Sequence, residues 1–407
     1  MTLALMSALF TACSPRSDRS ANERLVQELT DTLTLLSKEV DLNGFGVAIV
    51  SEKGVLYQNG FGFADVAAQK KYTDSTLQAL ASISKTFIGL AVLKAQDLGK
   101  LKLDDPVNRY LPFKVVNPFH PELPITIRHL VTHTSSILDA EPYLHHGLTL
   151  RDTNALKTNL GLDIAPCRFN PPGDRMPMDV FIREVLDTEG RLYTKASFAE
   201  RKPGALFEYS NVGATLAALV VQYATGEAFD AFTGKHILQP LGMSSSGWGL
   251  DAITLADHSR LYRTRTDPFP WYQWNTYPDG AMITSSRDMA KYMVELVRGF
   301  KGHGTLLTKQ SYAEYFTPQL KAENFTERNE GPYNDEYNMG ITMGFSAQGY
   351  FGHTGGDPGM FSMMFFNEAT GIGRFMIVNT DLNNWDHHKH VWDLLDRYAV
   401  KLDKGRE

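Results

Sequence analysis

The sequence predicts an α/β protein of the α+β type, with an antiparallel sheet built from N- and C-terminal strands, flanking helices, and an inserted, mainly helical lobe. Three observations predict this fold. Hairpin patterns occur near both ends of the chain, in residues 45–65 and 361–379. Amphipathic helical patterns stand outside both hairpins, and strong helical patterns fill the middle. Strands from opposite ends of a chain most simply share one sheet, with the terminal helices covering one of its faces.

The N-terminal part begins with a helix over residues 22–39, because four leucines fall on one helical face, Leu25, Leu29, Leu33 and Leu36. The hairpin follows, as two apolar runs that flank Glu52-Lys53-Gly54. A largely apolar helix then opens at Ser82 and ends near Gly99, a residue typical of helix C-termini.

The rest of the chain continues with four helical patterns, at residues 128–134, 180–187, 212–226 and 285–299. Strands are expected at 339–345, 350–353, 361–366 and 374–379. The last helix carries its apolar face on Val391, Leu394, Leu395 and Tyr398. We expect an α/β lobe of about 41–115 and 280–407, and a helical lobe of about 116–279.

The composition is that of a globular protein with a large core. The chain has 407 residues, of which 43% are hydrophobic and 21% charged, and its formal net charge is −6. No basic surface for nucleic acid is therefore expected. After the first dozen residues, nothing approaches the roughly 20 consecutive apolar residues that span a bilayer.

The first residues, MTLALMSALFTAC, resemble the end of a bacterial lipoprotein signal. We expect a signal segment in residues 1–12, a lipidated Cys13 that attaches the protein to a membrane, and a tether with the first helix in 13–40. This places the protein in the periplasm or cell envelope. The alternative is a cleaved or disordered N-terminus. With Cys13 acylated, Cys167 has no partner for a disulfide.

The stretch ASISKTF places two hydroxyls and a lysine at the mouth of an apolar helix. Ser82 and Lys85 are three residues apart, and therefore lie on one helical face. A buried lysine whose pKa is lowered by desolvation can accept the proton of a neighbouring serine. The alternative is an ordinary helix-capping serine with an exposed lysine.

Two further segments carry groups suited to the same chemistry. Tyr209 and Asn211, in PGALFEYSNVG, stand just before a helix, where a tyrosine could relay protons and an asparagine could bind a substrate carbonyl or hold the lysine. Alternatively, Tyr209 is a core residue and Asn211 a helix N-cap.

In YFGHTGGDPGM, the strand ending in His353, Thr354, Gly355 and Gly356 lets backbone approach a ligand closely. The N–H groups of Ser82 and Gly356 could form an oxyanion hole, or the glycines could simply form a turn.

Together these motifs, in this order, resemble the class C β-lactamase and penicillin-binding serine hydrolase family, which includes β-lactamase-like esterases, D-aminopeptidases and D-alanyl-D-alanine carboxypeptidases. The likeness covers roughly residues 45–380 and includes LGKLKLDDPVNRYLP, ITIRHLVTHTSSILD, LQPLGM and DGAMITSSRDMAKY. It implies the β-lactamase/DD-peptidase fold for residues 41–407, no cofactor, and a small-molecule or short-peptide substrate.

The resemblance also implies the site residues. Ser82 would be the acylated nucleophile, Lys85 and Tyr209 would share the acid–base work, and Asn211 would contact substrate or Lys85. His353 stands where β-lactamases of this family carry lysine. A histidine, with a pKa near 6.5, is mostly neutral at pH 7, which weakens the case for β-lactam hydrolysis. We therefore expect an esterase or D-amino-acid peptidase.

Two other functions remain open. One is a β-lactamase or D-Ala-D-Ala carboxypeptidase, and the other is a non-catalytic envelope lipoprotein that binds peptidoglycan or a partner.

The segment between Ser135 and Pro203 is longer than usual in the family and could shape the groove. The aromatic stretch 271–277 could line the acyl groove or cap the helical lobe. His129 and His133 have a spacing that could hold a metal, but a structural role is expected.

Overall fold

The computed structural model describes residues 21–154, 163–326, 340–346, 348–381 and 383–405. The expected signal segment, Cys13 and the tether lie outside the described residues. Within these ranges, no helix has the length and apolar character needed to cross a bilayer.

The strands occur at both ends of the chain and in its middle. In chain order they are β1 (Gly44–Ser51), β2 (Gly54–Asp65), β3 (Lys70–Lys71), β4 (Gln78–Ala79), β5 (Leu148–Leu150), β6 (Asp163–Ile164), β7 (Cys167–Asn170), β8 (Gly247–Trp248), β9 (Tyr272–Trp274), β10 (Met282–Thr284), β11 (Gly344–Phe345), β12 (Tyr350–Asp357), β13 (Met360–Asn367) and β14 (Gly373–Val378).

Most of the helices lie between the first and the last group of strands, and the first and the last helix lie outside them. The helices are α1 (Ala21–Glu39), α2 (Ser84–Asp97), α3 (Ile127–Val131), α4 (Glu141–His146), α5 (Met178–Leu186), α6 (Asn211–Thr225), α7 (Phe229–Thr233), α8 (Ser286–Phe300), α9 (Lys309–Tyr315) and α10 (Trp385–Lys404).

A seven-stranded antiparallel sheet forms the main layer, in the order β11-β12-β13-β14-β1-β2-β3. Its centre joins the two ends of the chain, because β1 pairs with β14, and Phe45 lies opposite Val378. The expectation that N- and C-terminal strands share one antiparallel sheet is therefore confirmed.

Both faces of this sheet are covered by helices, which explains why β1 is apolar along its whole length. Phe45, Val47 and Ile49 pack into one hydrophobic cluster with α1 and α10. Ala48 and Val50, on the alternate positions of the strand, pack into a second cluster with α2 and α8. The predicted apolar faces of the two terminal helices are thus confirmed as the contact with the sheet.

The middle of the chain contains strands as well as helices. Two small sheets occur there, ordered β4-β10-β8 and β6-β7-β5-β9. The first joins the segment before α2 to the segment before α8. Helix α2 also packs against α6, and β12 packs against the turn that precedes α2. These contacts bring the three motif segments to one place.

Several predicted element boundaries are wrong. The helix predicted over 128–134 ends at Val131, and the strand predicted over 350–353 continues to Asp357. The helix expected from Ser82 starts as a tight 3-10 turn over Ala81–Ile83, and the α-helix begins at Ser84. The strand expected over 339–345 is reduced to Gly344–Phe345, and Met339 lies outside the described residues. Thr342 has a φ of 60° and donates its N–H to the Val131 carbonyl, so the chain turns here instead of extending.

Candidate active site

The turn that carries Ser82 is held in a strained conformation. Ala81, directly before it, has a φ of 50°, in the left-handed region that alanine rarely adopts. Leu80 anchors the turn on both sides. Its N–H donates to the Met282 carbonyl at 2.9 Å, and its carbonyl accepts from the Ser362 hydroxyl at 2.7 Å. These tertiary hydrogen bonds hold the turn, and Ser82 stays half-exposed at its surface.

Lys85 contacts the predicted nucleophile directly. Its Nζ donates to the Ser82 Oγ at 3.0 Å and to the Asp279 carbonyl at 2.7 Å, and the whole residue is buried with 0% exposure. The neighbouring hydroxyl has another role, because the Ser84 Oγ accepts the Met282 N–H at 3.1 Å. The structure therefore brings together Ser82 and Lys85, as the three-residue spacing predicts.

Tyr209 lies beside the same amine. Its ring centroid is 5.1 Å from the Lys85 Nζ, and its ring stacks on His133 at 4.3 Å. The His133 Nδ1 accepts the Ser210 N–H at 3.1 Å, which fixes the imidazole against the segment that carries Tyr209. Burial, together with the charge of Lys85, lowers the pKa of His133 well below its ordinary value. A neutral imidazole therefore packs against the Tyr209 ring.

Asn211 begins α6, but Ser210 caps that helix, since the Ser210 Oγ accepts the Gly213 N–H at 2.9 Å. The side-chain amide of Asn211 donates to Asp139 at 2.7 Å. The same carboxylate also accepts the backbone N–H groups of Asn211 and Val212, at 2.9 and 3.0 Å. Burial raises the pKa of Asp139, and these hydrogen bonds oppose that rise. Asp139 thus positions the start of α6 and the Asn211 side chain.

Replacing Asp139 with alanine is expected to lower the free energy of unfolding by about 3 kcal/mol, because a partly buried side-chain amide and two helix N-terminal N–H groups lose their acceptor. Urea denaturation at pH 7 measures this change. Asp139→Asn keeps one acceptor oxygen and should lose about half as much. A loss below about 0.5 kcal/mol for the alanine variant would contradict the anchoring role.

The third motif runs along β12 beside the nucleophile turn. His353 is buried, its ring lies 6.1 Å from that of Tyr209, and its Nδ1 lies 2.5 Å from the Thr354 carbonyl, so it donates there. A Cβ on Gly355 would lie 2.3 Å from the Leu80 carbonyl oxygen and 3.0 Å from the Ser82 nitrogen, so only glycine fits. Gly356 is exposed and borders open space.

This arrangement suits acyl transfer. Ser82 lies where the motif strand and the start of α2 meet, and it is half-exposed, so a substrate carbonyl can reach its hydroxyl. The pairing of the Ser82 and Gly356 N–H groups as an oxyanion hole stays a prediction, as do the individual catalytic roles.

Two carboxylates near Lys85, the buried Asp279 and the half-buried Asp357, were not predicted from the sequence. Burial raises the pKa of Asp279 to about 7 and that of Asp357 to about 6, while the charge of Lys85 lowers both. Asp279 accepts hydrogen bonds from Tyr143 and Thr215, each at 3.3 Å. Both acids belong to motif segments, DGAMIT and GHTGGDPG. In each segment an acidic residue stands in an otherwise apolar or glycine-rich stretch, and this pattern is the sequence signal that could have identified the two acids.

The secondary candidates have structural roles. His129 Nδ1 accepts the Thr126 N–H at 3.2 Å at the start of α3, and His133 stacks on Tyr209. In the described part of the chain, no group of three or more His, Cys, Asp or Glu side chains is placed to hold a metal. Of the aromatic stretch, Trp274 lines a cleft of about 600 Å³ that none of Ser82, Lys85, Tyr209 and His353 lines.

Comparisons with known proteins identify relatives of this chain. A family model described as Beta-lactamase matches residues 23–398. Penicillin-binding protein 4* of Bacillus subtilis is 25% identical over 335 residues, which cover 78% of this chain. Esterase EstB of Burkholderia gladioli is 32% identical over 213 residues, half of this chain. The chain spans 64% of the length of the first relative and 46% of the second.

The fold also matches a solved structure. The D-amino acid amidase of Ochrobactrum anthropi SV3, complexed with L-phenylalanine amide, aligns with a TM-score of 0.64 at 20% identity. The alignment covers 95% of this chain and all of the amidase chain. At this identity the likeness shows the fold alone.

Proposed function

We propose, from the premise that this chain belongs to the beta-lactamase family, that it is a serine hydrolase acting through an acyl-enzyme on an amide or ester bond. The observation that carries the proposal is the 3.0 Å hydrogen bond between the buried Lys85 amine and the half-exposed Ser82 hydroxyl. A nucleophile within hydrogen-bond reach of a base, beside space for a carbonyl, is the arrangement that acyl transfer needs.

In the proposed reaction, the Ser82 Oγ attacks the substrate carbonyl carbon while its proton passes to Lys85 or Tyr209. The resulting oxyanion is stabilised by the N–H groups of Ser82 and Gly356. Collapse of this intermediate breaks the bond to the leaving group, which takes a proton from the Tyr209 and Lys85 pair. Water then attacks the acyl-enzyme, releases the acid and restores the Ser82 hydroxyl.

The side-chain chemistry at His353 favours a β-lactamase-like esterase or D-amino-acid peptidase. A substrate carboxylate on the leaving-group side would meet a buried imidazole there, not the permanent cation of a lysine. The esterase among the relatives supports this preference. The penicillin-binding relative supports the second candidate, a β-lactamase or D-Ala-D-Ala carboxypeptidase.

A substrate panel ranks these candidates. We expect kcat/KM for a p-nitrophenyl ester and for a D-alanine amide to exceed that for nitrocefin and for a D-Ala-D-Ala peptide by at least tenfold, because the latter two carry a carboxylate. Initial rates measured side by side, with Ser82→Ala as the blank, give the ranking. If nitrocefin is the fastest substrate, the esterase or peptidase assignment is wrong.

Lipidation of Cys13 and a location in the cell envelope are further parts of the proposal. They are inferred from the sequence before Ala21, which lies outside the described residues. A role of segment 139–200 in shaping the substrate groove is supported by Tyr143, whose hydroxyl reaches Asp279. A non-catalytic binding protein is the less favoured alternative, because Ser82 and Lys85 are both present and in contact.

A further inference from the structure

Asp357 ends the motif strand β12, one residue beyond Gly356. Its position relative to the nucleophile turn is fixed by Gly280. A Cβ at Gly280 would lie 2.9 Å from the Asp357 Oδ2 and 3.8 Å from the Ala81 Cα. The carboxylate therefore lies close to the residue before Ser82. The Asp357 residue as a whole is half-buried.

The direction of β12 assigns Asp357 to one side of the scissile bond. His353 neighbours Tyr209, whose proposed role is to protonate the leaving group, so the His353 end of the strand faces the leaving group. Asp357 is four residues further on, about 13 Å along an extended strand, with the predicted oxyanion-hole residue Gly356 between them. Asp357 therefore lies on the side of the acyl group.

The charges around Asp357 are unbalanced in favour of anions. Among the described residues, the carboxylates of Asp139, Asp279 and Asp357 all interact with the ammonium of Lys85. Burial disfavours the charged form of each acid, and Asp357 also raises the pKa of Asp279. Gathering three carboxylates around one ammonium away from water is unfavourable, and a second cation near Asp357 would relieve this.

The Asp357 carboxylate also lies beside an indole. The N–H of Trp274 favours the charged form of the carboxylate and so lowers its pKa. Trp274 is 7% exposed, and its indole nitrogen would lie 3.4 Å from a Cβ on Gly280, next to the carboxylate. A fixed anion on the acyl side is suited to orienting a charged group of the substrate.

We infer that Asp357 is a specificity-determining residue that binds an ammonium group on the acyl part of the substrate. The substrate class is then an aminoacyl ester or amide whose amino group is free. This inference rests on the proposed function, and it names which substrates of a serine hydrolase this site selects. Asp279 interacts with Asp357 as a second negative charge, and the Trp274 indole nitrogen lies beside the Asp357 carboxylate.

The test compares two substrates that differ only in the ammonium, D-alanine phenyl ester and phenyl propionate, at pH 7. Because the two esters differ in intrinsic reactivity, the measured quantity is the ratio of their kcat/KM values in each variant. Asp357→Asn should lower this ratio at least tenfold relative to the wild-type chain. Asp357→Glu, which keeps the charge, should retain a larger share of the ratio.

Asp74→Asn is the matched control, since it removes a carboxylate that pairs with Arg287 at 2.8 Å on the surface, and it should leave the ratio unchanged. A ratio within twofold of wild type in Asp357→Asn would overturn the inference, as would an equal loss on both esters. Ser82→Ala separates the two proposals. If it still hydrolyses phenyl propionate, the proposed hydrolase function fails. If hydrolysis depends on Ser82 and the ratio stays constant, only the ammonium site fails.

Discussion

Ser82→Ala is expected to lower kcat/KM for a p-nitrophenyl ester by at least about 10³-fold and to abolish covalent labelling by a fluorophosphonate probe. Alanine removes the attacking oxygen and leaves the strained turn, the helix and Lys85 in place. Initial rates and intact-protein mass spectrometry measure the two effects. The loss of covalent labelling should be complete, because no acyl-enzyme can form at this position without the hydroxyl.

Ser84→Ala is the matched control for this prediction. It removes a hydroxyl two residues away, whose partner is the Met282 N–H and not Lys85. Covalent labelling of the Ser84→Ala variant should persist. The free energy of unfolding of this variant should fall by about 1–3 kcal/mol, because a buried N–H loses its acceptor. Undiminished turnover by Ser82→Ala, or loss of labelling in Ser84→Ala alone, would place the nucleophile elsewhere.

Local patterns were sufficient to predict the sheet and its covering helices. The alternation in β1 and the apolar faces of α1 and α10 depend only on side-chain periodicity, so the sequence reveals them. The start of α2 was predicted less well. Its first turn is shaped by hydrogen bonds from Leu80 to Met282 and Ser362, which lie some 200 to 280 residues away in the chain. No local pattern contains that information.

The candidate site likewise combines contacts that the sequence predicts with contacts that it does not. The Ser82–Lys85 contact follows from helical spacing, and the gathering of the three motifs follows from the family resemblance. The acids around Lys85 could not be predicted as a group, because Asp139, Asp279 and Asp357 come from three separate segments. Only the packing of α2 against α6 and of β12 against the nucleophile turn makes their charges act on one amine.

These acids also change the expected chemistry of Lys85. The sequence suggested that burial alone would favour the neutral amine. The structure adds carboxylates that attract the ammonium, so two opposing effects act on the same group. A substrate cation bound at Asp357 would weaken this attraction.

Lys85→Met is expected to lower the rate of Ser82 acylation by about 10²–10⁴-fold, the contribution typical of general acid–base catalysis. Methionine has a similar length and suits a site with 0% exposure, so the protein should remain folded. Because Lys85 lowers the pKa of Asp279 and Asp357, its removal raises both values further and favours the neutral form of each acid. Labelling rates from time-resolved mass spectrometry measure the effect.

Lys94→Met, on the same helix, controls for removing a lysine from α2. The Lys94 Nζ donates to the Leu306 carbonyl at 2.9 Å, just as the Lys85 Nζ donates to the Asp279 carbonyl, but Lys94 lies in the last turn of α2, at the opposite end from Ser82. Its acylation rate should stay within twofold of wild type. If Lys85→Met retained more than a tenth of the wild-type rate while Tyr209→Phe lost nearly all of it, the phenol would be the base and Lys85 would only hold it in position. The 3.0 Å contact between the Lys85 amine and the Ser82 oxygen favours the lysine, because a base acts only within hydrogen-bond reach of the proton it removes.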